Sequence, residues 1–499
     1  MTEKLRFSSR WSTMLVMLGM AVGTGNIWRF PRVAGSNGGG SFLIAWVVFL
    51  LLWSIPLILV EFAMGRESRC GPIGAFTRLV GEKFAWMGAW VAFTATAIMF
   101  YYSVVMGWTL RYLWGSVTGG IPMHSPEAAT AYWQGFAGSW TAVGTHALAL
   151  GLGVFVVSRG VRGIERAARV LIPGLFLLVI VLAARAVTLP GAERGLAFLF
   201  TPEWGDLLDA RIWLEALTQN AWDTGAGWGL ILAYAVYLRP KEDTTLNAFV
   251  LGFGNNSVSL LAGIMVLCTA FAILPEAGDQ IVGAGNEGLT FIWVPQLFAR
   301  MPGGRLFMSF FFLALFFAAW SSLIAMIELA SRVLIDAGMT RVRAIRTVGL
   351  AGFLLGMPSA LSMEFFQNQD WVWGVGLMLS GLFFAFGVLR YGVDRFRRTL
   401  VNRADRDLTI GRWWNAAIVL VFVEALVLLG WWMSQAVSDA GLWATFTPFS
   451  SFNVGTVLVQ WAIALAAFIA LNPLLARKFA GDNDAQQAVE APEATEGEA

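Results

Sequence analysis

The chain has 499 residues, of which 57% are hydrophobic and only 13% charged, with a formal net charge of +2 and a mean hydropathy of +0.66. Water-soluble domains are about half apolar and a quarter charged, so these values exclude one. The charge is also too small and dispersed for a nucleic-acid-binding surface.

A helix needs roughly 20 apolar residues to cross a bilayer. Twelve runs of this kind follow in chain order, at 12–34, 40–64, 84–114, 139–157, 163–187, 212–238, 247–274, 304–334, 345–361, 370–391, 413–433 and 453–475. In hydrocarbon only helices and closed barrels satisfy the backbone, and these continuous runs lack the alternation of barrel strands. The expected fold is an all-α integral membrane protein with twelve transmembrane helices. Residues 1–11 form an amino-terminal segment, 12–476 the membrane domain, and 477–499 an acidic, disordered tail.

Alternate loops are basic, from Lys4, Arg6 and Arg10 to the cluster between Arg390 and Arg412, and the intervening loops are nearly bare. The positive-inside rule therefore places both termini and the basic loops in the cytoplasm, with the chain in the cell's inner (plasma) membrane. The first apolar run lacks a small-residue cleavage site and reads as a helix and not a removable leader. Cys70 falls in a basic loop and Cys268 within a span, so no disulfide is expected.

Glycines interrupt two of the runs. Gly19, Gly23 and Gly25 precede Asn26 in the first, and Gly225, Gly227 and Gly229 follow Asn220 and Asp223 in the sixth. A mid-helix glycine costs about 1 kcal/mol relative to alanine. Unwound backbone at membrane depth persists only where it is buried in protein or lines a cavity. Close helix packing is the ordinary use of glycine in membranes. Two polar breaks, five spans apart, instead match broken helices in corresponding positions of inverted repeats, with spans 1–5 and 6–10 as the repeats. A midplane aspartate is costly unless paired, which makes Asp223 a candidate functional residue.

The run Gly25-Asn26-Ile27-Trp28-Arg29-Phe30-Pro31, followed by Asn37-Gly38-Gly39-Gly40-Ser41-Phe42, closely resembles the signature of the neurotransmitter:sodium symporter family, solute carrier family 6. Glu61-Phe62-Ala63-Met64-Gly65-Arg66, Arg162-Gly163-Ile164-Glu165-Arg166 and Ser321-Ser322 extend the resemblance over roughly residues 4–475. It implies a bacterial-type amino-acid transporter that binds two sodium ions and no organic cofactor. One ion would be held by Gly19, Val22, Ala318, Ser321 and Ser322, and the other by Ala21, Asn26, Asp223 and Asn255. For Ser321 and Ser322, hydroxyls bonded to their own helix are the ordinary alternative.

The same resemblance implies that Gly25 and Tyr102 receive the substrate carboxylate, with Ala21 and Trp222 carbonyls for its amino group. Gly23, where monoamine carriers of the family have aspartate, favours an amino acid. Ile98, Tyr102, Trp222, Gly225, Trp228, Ser322 and Met326 would wall an apolar pocket, with Trp222 and Tyr102 as its lid. Gates are implied between Arg29 and Asp370 outside, and between Asp336 and either Lys4 or Arg6 inside. Gly163 and Pro173 would frame a stretch of the fifth helix able to unwind. Chloride-binding relatives use positions that read here Trp46, Gln219, Asp223, Asn255 and Ser259. A tyrosine is lost there and a carboxylate gained, so no chloride is expected.

The sequence thus points to a sodium-coupled importer of hydrophobic amino acids, with sodium, an amino acid as a small-molecule substrate and the bilayer as partners, and with homo-oligomerisation left open. It shows no nucleotide loop or catalytic triad of an enzyme. An amino-acid-binding membrane sensor without transport is the alternative, and a channel a second. A channel needs a continuous polar pore, whereas the polar groups here gather at one depth.

Overall fold

The computed structural model describes residues 6–122, 125–239, 241–274, 283–403, 408–437, 441–447 and 451–480. Among these there is no strand, and ten helices are long and apolar enough to cross a membrane. They are Gly40–Ser68, Glu82–Thr118, Trp140–Ser158, Gly160–Val187, Thr244–Ile273, Gly304–Asp336, Arg341–Leu361, Met363–Tyr391, Trp413–Gln435 and Val454–Phe479. The two remaining crossings are interrupted, which gives the expected twelve-span architecture.

The first span consists of Arg10–Ala21, a π-helical turn Gly25–Arg29 and Phe30–Ser36. The sixth consists of Ala210–Asp223 and the short Leu230–Ala235. The two breaks have different causes. In the sixth span Gly225, Gly227 and Gly229 take φ of 69°, 85° and 80°, a left-handed region that L side chains rarely adopt. In the first span no glycine of the break has positive φ, and Val22 is simply extended, with ψ 101°. There the glycines permit close approach, because a Cβ on Gly19 would lie 3.0 Å from Ile172 Cδ1 and one on Gly25 2.7 Å from Asp223 Oδ1.

Of the ten unbroken helices the third, eighth and tenth spans are the most buried, and the sixth span is buried from Ala216 to Val236 except at Trp222. The eleventh and twelfth are largely exposed, as helices facing lipid would be. The second span carries a π turn at Leu50–Ser54 that the sequence did not signal. The fifth is a continuous helix through Gly163 and Pro173. The last helix runs to Phe479, past the expected domain limit at 476, and the acidic stretch 481–499 lies outside the described residues.

Candidate functional site

A cavity of about 540 Å³ lies at the two breaks. Every residue expected to touch substrate lines it: Ala21, Gly23, Gly25, Ile98, Tyr102, Trp222, Gly225, Trp228, Ser322 and Met326. Thr24, Val105 and Phe366, which sequence reasoning did not name, line it as well. The cavity continues past Arg29 and Asp370 to Trp432 and Phe452, away from the basic face.

Gly23 holds together the floor of the cavity. A Cβ there would lie 3.0 Å from Ser322 Oγ and 3.1 Å from the Tyr102 hydroxyl. Thr24 N–H donates to that hydroxyl at 3.2 Å, so the third span grips the first at the point where its helix stops.

Beside the cavity, oxygen atoms from three spans converge. The inward terminal atom of the Asn255 amide lies 3.3 Å from the Ala21 carbonyl oxygen, 3.0 Å from the Asp223 carbonyl oxygen and 3.0 Å from Asn26 Nδ2. As oxygen it accepts from Asn26 but faces two carbonyl oxygens. As nitrogen it donates to both carbonyls but confronts the Asn26 amino group. Rotating Asn26 instead would turn its amino group onto the Gly23 N–H, which donates to Asn26 Oδ1 at 2.8 Å. With its nitrogen inward the Asn255 amide satisfies both carbonyls, and Asn26 Nδ2 keeps Ser259 Oγ at 2.8 Å and the Asn255 main-chain carbonyl at 3.4 Å as acceptors. Asn26 departs from its expected place in one respect: its nitrogen, not its oxygen, faces Asn255 and Ser259.

The Asp223 carboxylate adjoins this cluster. Its Oδ2 accepts from Ser259 Oγ at 2.8 Å, and Asn26 Nδ2 donates to the same Ser259 oxygen at 2.8 Å. Asp223 Oδ1 is buried with no hydrogen-bond partner. Gln219 turns its Oε1 to Arg29, and Trp46 lays its ring 4.6 Å from that of Phe30.

The second expected ion position lies between the first and eighth spans. Ser322 Oγ reaches the carbonyls of Met20 and Val22 at 3.3 and 3.4 Å. Ser321 Oγ instead bonds back to Phe317 and Ala318 of its own helix, at 2.9 and 3.0 Å. That is the ordinary use of a serine in a helix. Gly19 abuts Ser321, whose Cβ lies 3.4 Å from where a Gly19 Cβ would stand.

Glu61 appeared in the sequence only as part of a motif, and the structure gives its part. Fully buried, its two oxygens accept Gly227 N–H at 2.7 Å and Leu232 N–H at 3.0 Å. A restarting helix leaves its first N–H groups unsatisfied, and this carboxylate caps them. A glutamate inside an apolar run was the available signal.

The expected gates are placed differently from one another. Arg29 and Asp370 line the same cavity but form no ion pair; Arg29 donates to Gln219 at 2.5 Å and lies 5.8 Å over the Trp222 ring. This corrects the expected outer pair, and the reason is that the cavity separates the two groups. On the basic face Asp336 is paired with Arg332 at 2.7 Å and accepts Gly71 N–H at 2.6 Å. Arg6 is exposed and is not among its described partners, and Lys4 lies outside the described residues. Phe7, only 2% exposed, anchors the amino-terminal segment by donating its N–H to the Tyr237 carbonyl at 3.0 Å. Ser8 N–H donates to Glu165 at 2.6 Å, and Tyr237, Glu328 and Arg341 close the same face through contacts of 2.6 Å.

A many-spanned helical bundle with two opposed breaks, a central cavity and one closed face defines a membrane transporter of the broken-helix class. Residues 4–135 and 134–480 match the Sodium:neurotransmitter symporter family, and the chain belongs to it. It is 31% identical to a sodium-dependent transporter of Methanocaldococcus jannaschii, over 86% of this chain and 90% of that protein. It is 28% identical to the sodium-dependent serotonin transporter of Drosophila melanogaster, over 79% of this chain and 71% of that protein. Among solved structures, MhsT in complex with L-phenylalanine is similar, with a TM-score of 0.74 and 29% identity, covering 85% of this chain and 99% of MhsT.

Proposed function

We propose that the protein is a sodium-coupled symporter that imports hydrophobic amino acids by alternating access and does so without chloride. The observation that carries this reading is the convergence of the Ala21 and Asp223 carbonyl oxygens on the Asn255 amide, drawn from three spans and set against a mostly apolar cavity. A substrate carboxylate would meet Gly25 N–H and the Tyr102 hydroxyl, and its ammonium the Ala21 and Trp222 carbonyls. Its side chain would lie among Ile98, Gly225, Trp228 and Met326. Gly23 puts no carboxylate at the position where monoamine carriers of the family have aspartate.

Sodium is cargo as much as ligand. Bound at the cluster it would join the first, sixth and seventh spans, and bound beside Ser322 it would join the first and eighth. Likeness to MhsT, solved with L-phenylalanine, supports an amino-acid substrate. The cavity opens away from the basic face, which in the cell would be the outside, and the Phe7 anchor holds the cytoplasmic side shut.

The test is uptake of a panel of radiolabelled amino acids into sealed proteoliposomes. An inward sodium gradient should drive accumulation of apolar substrates, and equal uptake in potassium-only buffer overturns the proposal. Labelled counterflow separates a carrier from a sensor, since only a carrier exchanges its ligand across the membrane.

A further inference from the structure

We propose that Gly374 of the tenth span is the seat of the Trp222 side chain and so sets the size of substrate the cavity admits. The inference rests on the transport reading above and deepens it. Trp222, next to the end of the first helical part of the sixth span, lines the cavity, with its ring 6.1 Å from Trp228 and nearly perpendicular to it. Its benzo edge points at Gly374, in the interior of Met363–Tyr391. A methyl group on Gly374 would overlap Cζ2 and Cη2 of Trp222 outright and would stand 3.5 Å from Cε2.

Nothing in the backbone requires glycine at this position. Gly374 is absent from the residues with positive φ and sits in continuous helix, where alanine is the better helix former. The three atoms nearest to an added methyl all belong to Trp222. The glycine is therefore explained by the indole, and the indole has nowhere equivalent to go. Trp228 flanks it on one side, and the Arg29 guanidinium lies over its face at 5.8 Å. Displaced from its notch, the ring must swing into the cavity and take volume from the substrate.

Two substitutions separate this from a general packing defect. Gly374→Ala closes the notch, and Trp222→Phe removes the distal ring atoms that occupy it. Gly374→Ala alone should lower the melting temperature of the detergent-purified protein. In the Trp222→Phe background the same change should be neutral or stabilising, because alanine favours helix and nothing remains to clash. This cycle needs no transport, so it reads the seat even if the transport proposal fails; that failure would show itself as wild-type vesicles accumulating no amino acid under a sodium gradient.

In uptake, Gly374→Ala should cut the ratio of phenylalanine to alanine transport at least tenfold. The Trp222→Phe, Gly374→Ala double variant should restore it to within threefold of the Trp222→Phe single variant. Independent effects of the two substitutions on melting temperature overturn the seat. Coupled melting with uniform loss of both substrates overturns the size-selecting role.

Discussion

Replacing Asp223 by serine tests whether a fixed carboxylate stands where an anion would otherwise be recruited. Its Oδ2 is 2.8 Å from Ser259 Oγ, which is 2.8 Å from Asn26 Nδ2, and its own carbonyl belongs to the oxygen cluster. For a carboxylate and an ion about 5 Å apart, Coulomb's law sets the scale of the attraction. At an effective dielectric of about 20 the attraction is then roughly 3 kcal/mol, or about a hundredfold in ion affinity. Asp223→Ser should raise the sodium concentration for half-maximal uptake by about that factor in gluconate medium. Chloride should recover part of the loss, and more of it when Trp46→Tyr supplies a hydroxyl. Asp223→Asn, which keeps the shape and removes the charge, should behave like serine in gluconate. The assay is initial-rate uptake at graded sodium in proteoliposomes, with chloride or gluconate as the anion. Wild-type protein that stops without chloride, or an Asp223→Ser variant with unchanged sodium dependence, refutes the reasoning.

Ser322→Ala removes a hydroxyl of the eighth span that reaches across to the first, at 3.3 and 3.4 Å from two carbonyls. A contact worth about 1 kcal/mol should raise half-saturating sodium about fivefold, and an unchanged sodium curve would count against an ion at that place. Glu61→Gln loses a charge-assisted bond to the restarting sixth helix, about 1.5–3 kcal/mol, and should lower the melting temperature and raise the KM for substrate together; a variant with both unchanged would show that the cap is dispensable. Asp336→Ala frees Gly71 N–H and breaks the contact to Arg332. It should raise the reactivity of cysteines introduced near Gly163 on the basic face, and unaltered reactivity would deny it a gating part.

The order of spans and the two breaks were legible in the sequence because each leaves a local mark, whereas the residues of the cavity wall were named through the family resemblance. Apolar runs mark spans, and glycines beside Asn26 and Asp223 mark broken helices. Less visible were features that depend on what stands opposite in space. The π turn at Leu50–Ser54 occupies an unremarkable stretch of leucines. Glycines in the first and sixth spans read alike, yet one set provides close approach and the other positive φ. Arg29 and Asp370 have the right charges for a pair, but pairing depends on how far the cavity between them is open. Lys4 lies outside the described residues, and Asp336 takes Arg332, one helical turn away, as a partner that its own helix supplies.

An ion can drive a conformational change only by the difference in its affinity for the two conformations. The cluster beside the cavity meets this condition because its oxygens do not belong to one rigid element. Ala21 ends the helical start of the first span, Asp223 ends that of the sixth, and Asn255 sits within the unbroken seventh. A shift of either broken span against the seventh changes the spacing of the three oxygens, and with it the ion's affinity. On the proposed reading, sodium bound among these atoms would favour the arrangement seen here, with the cavity open on one side and the Phe7 anchor closed on the other. Its departure would remove that preference, and so the downhill movement of the ion would carry the cavity, and whatever fills it, across the membrane.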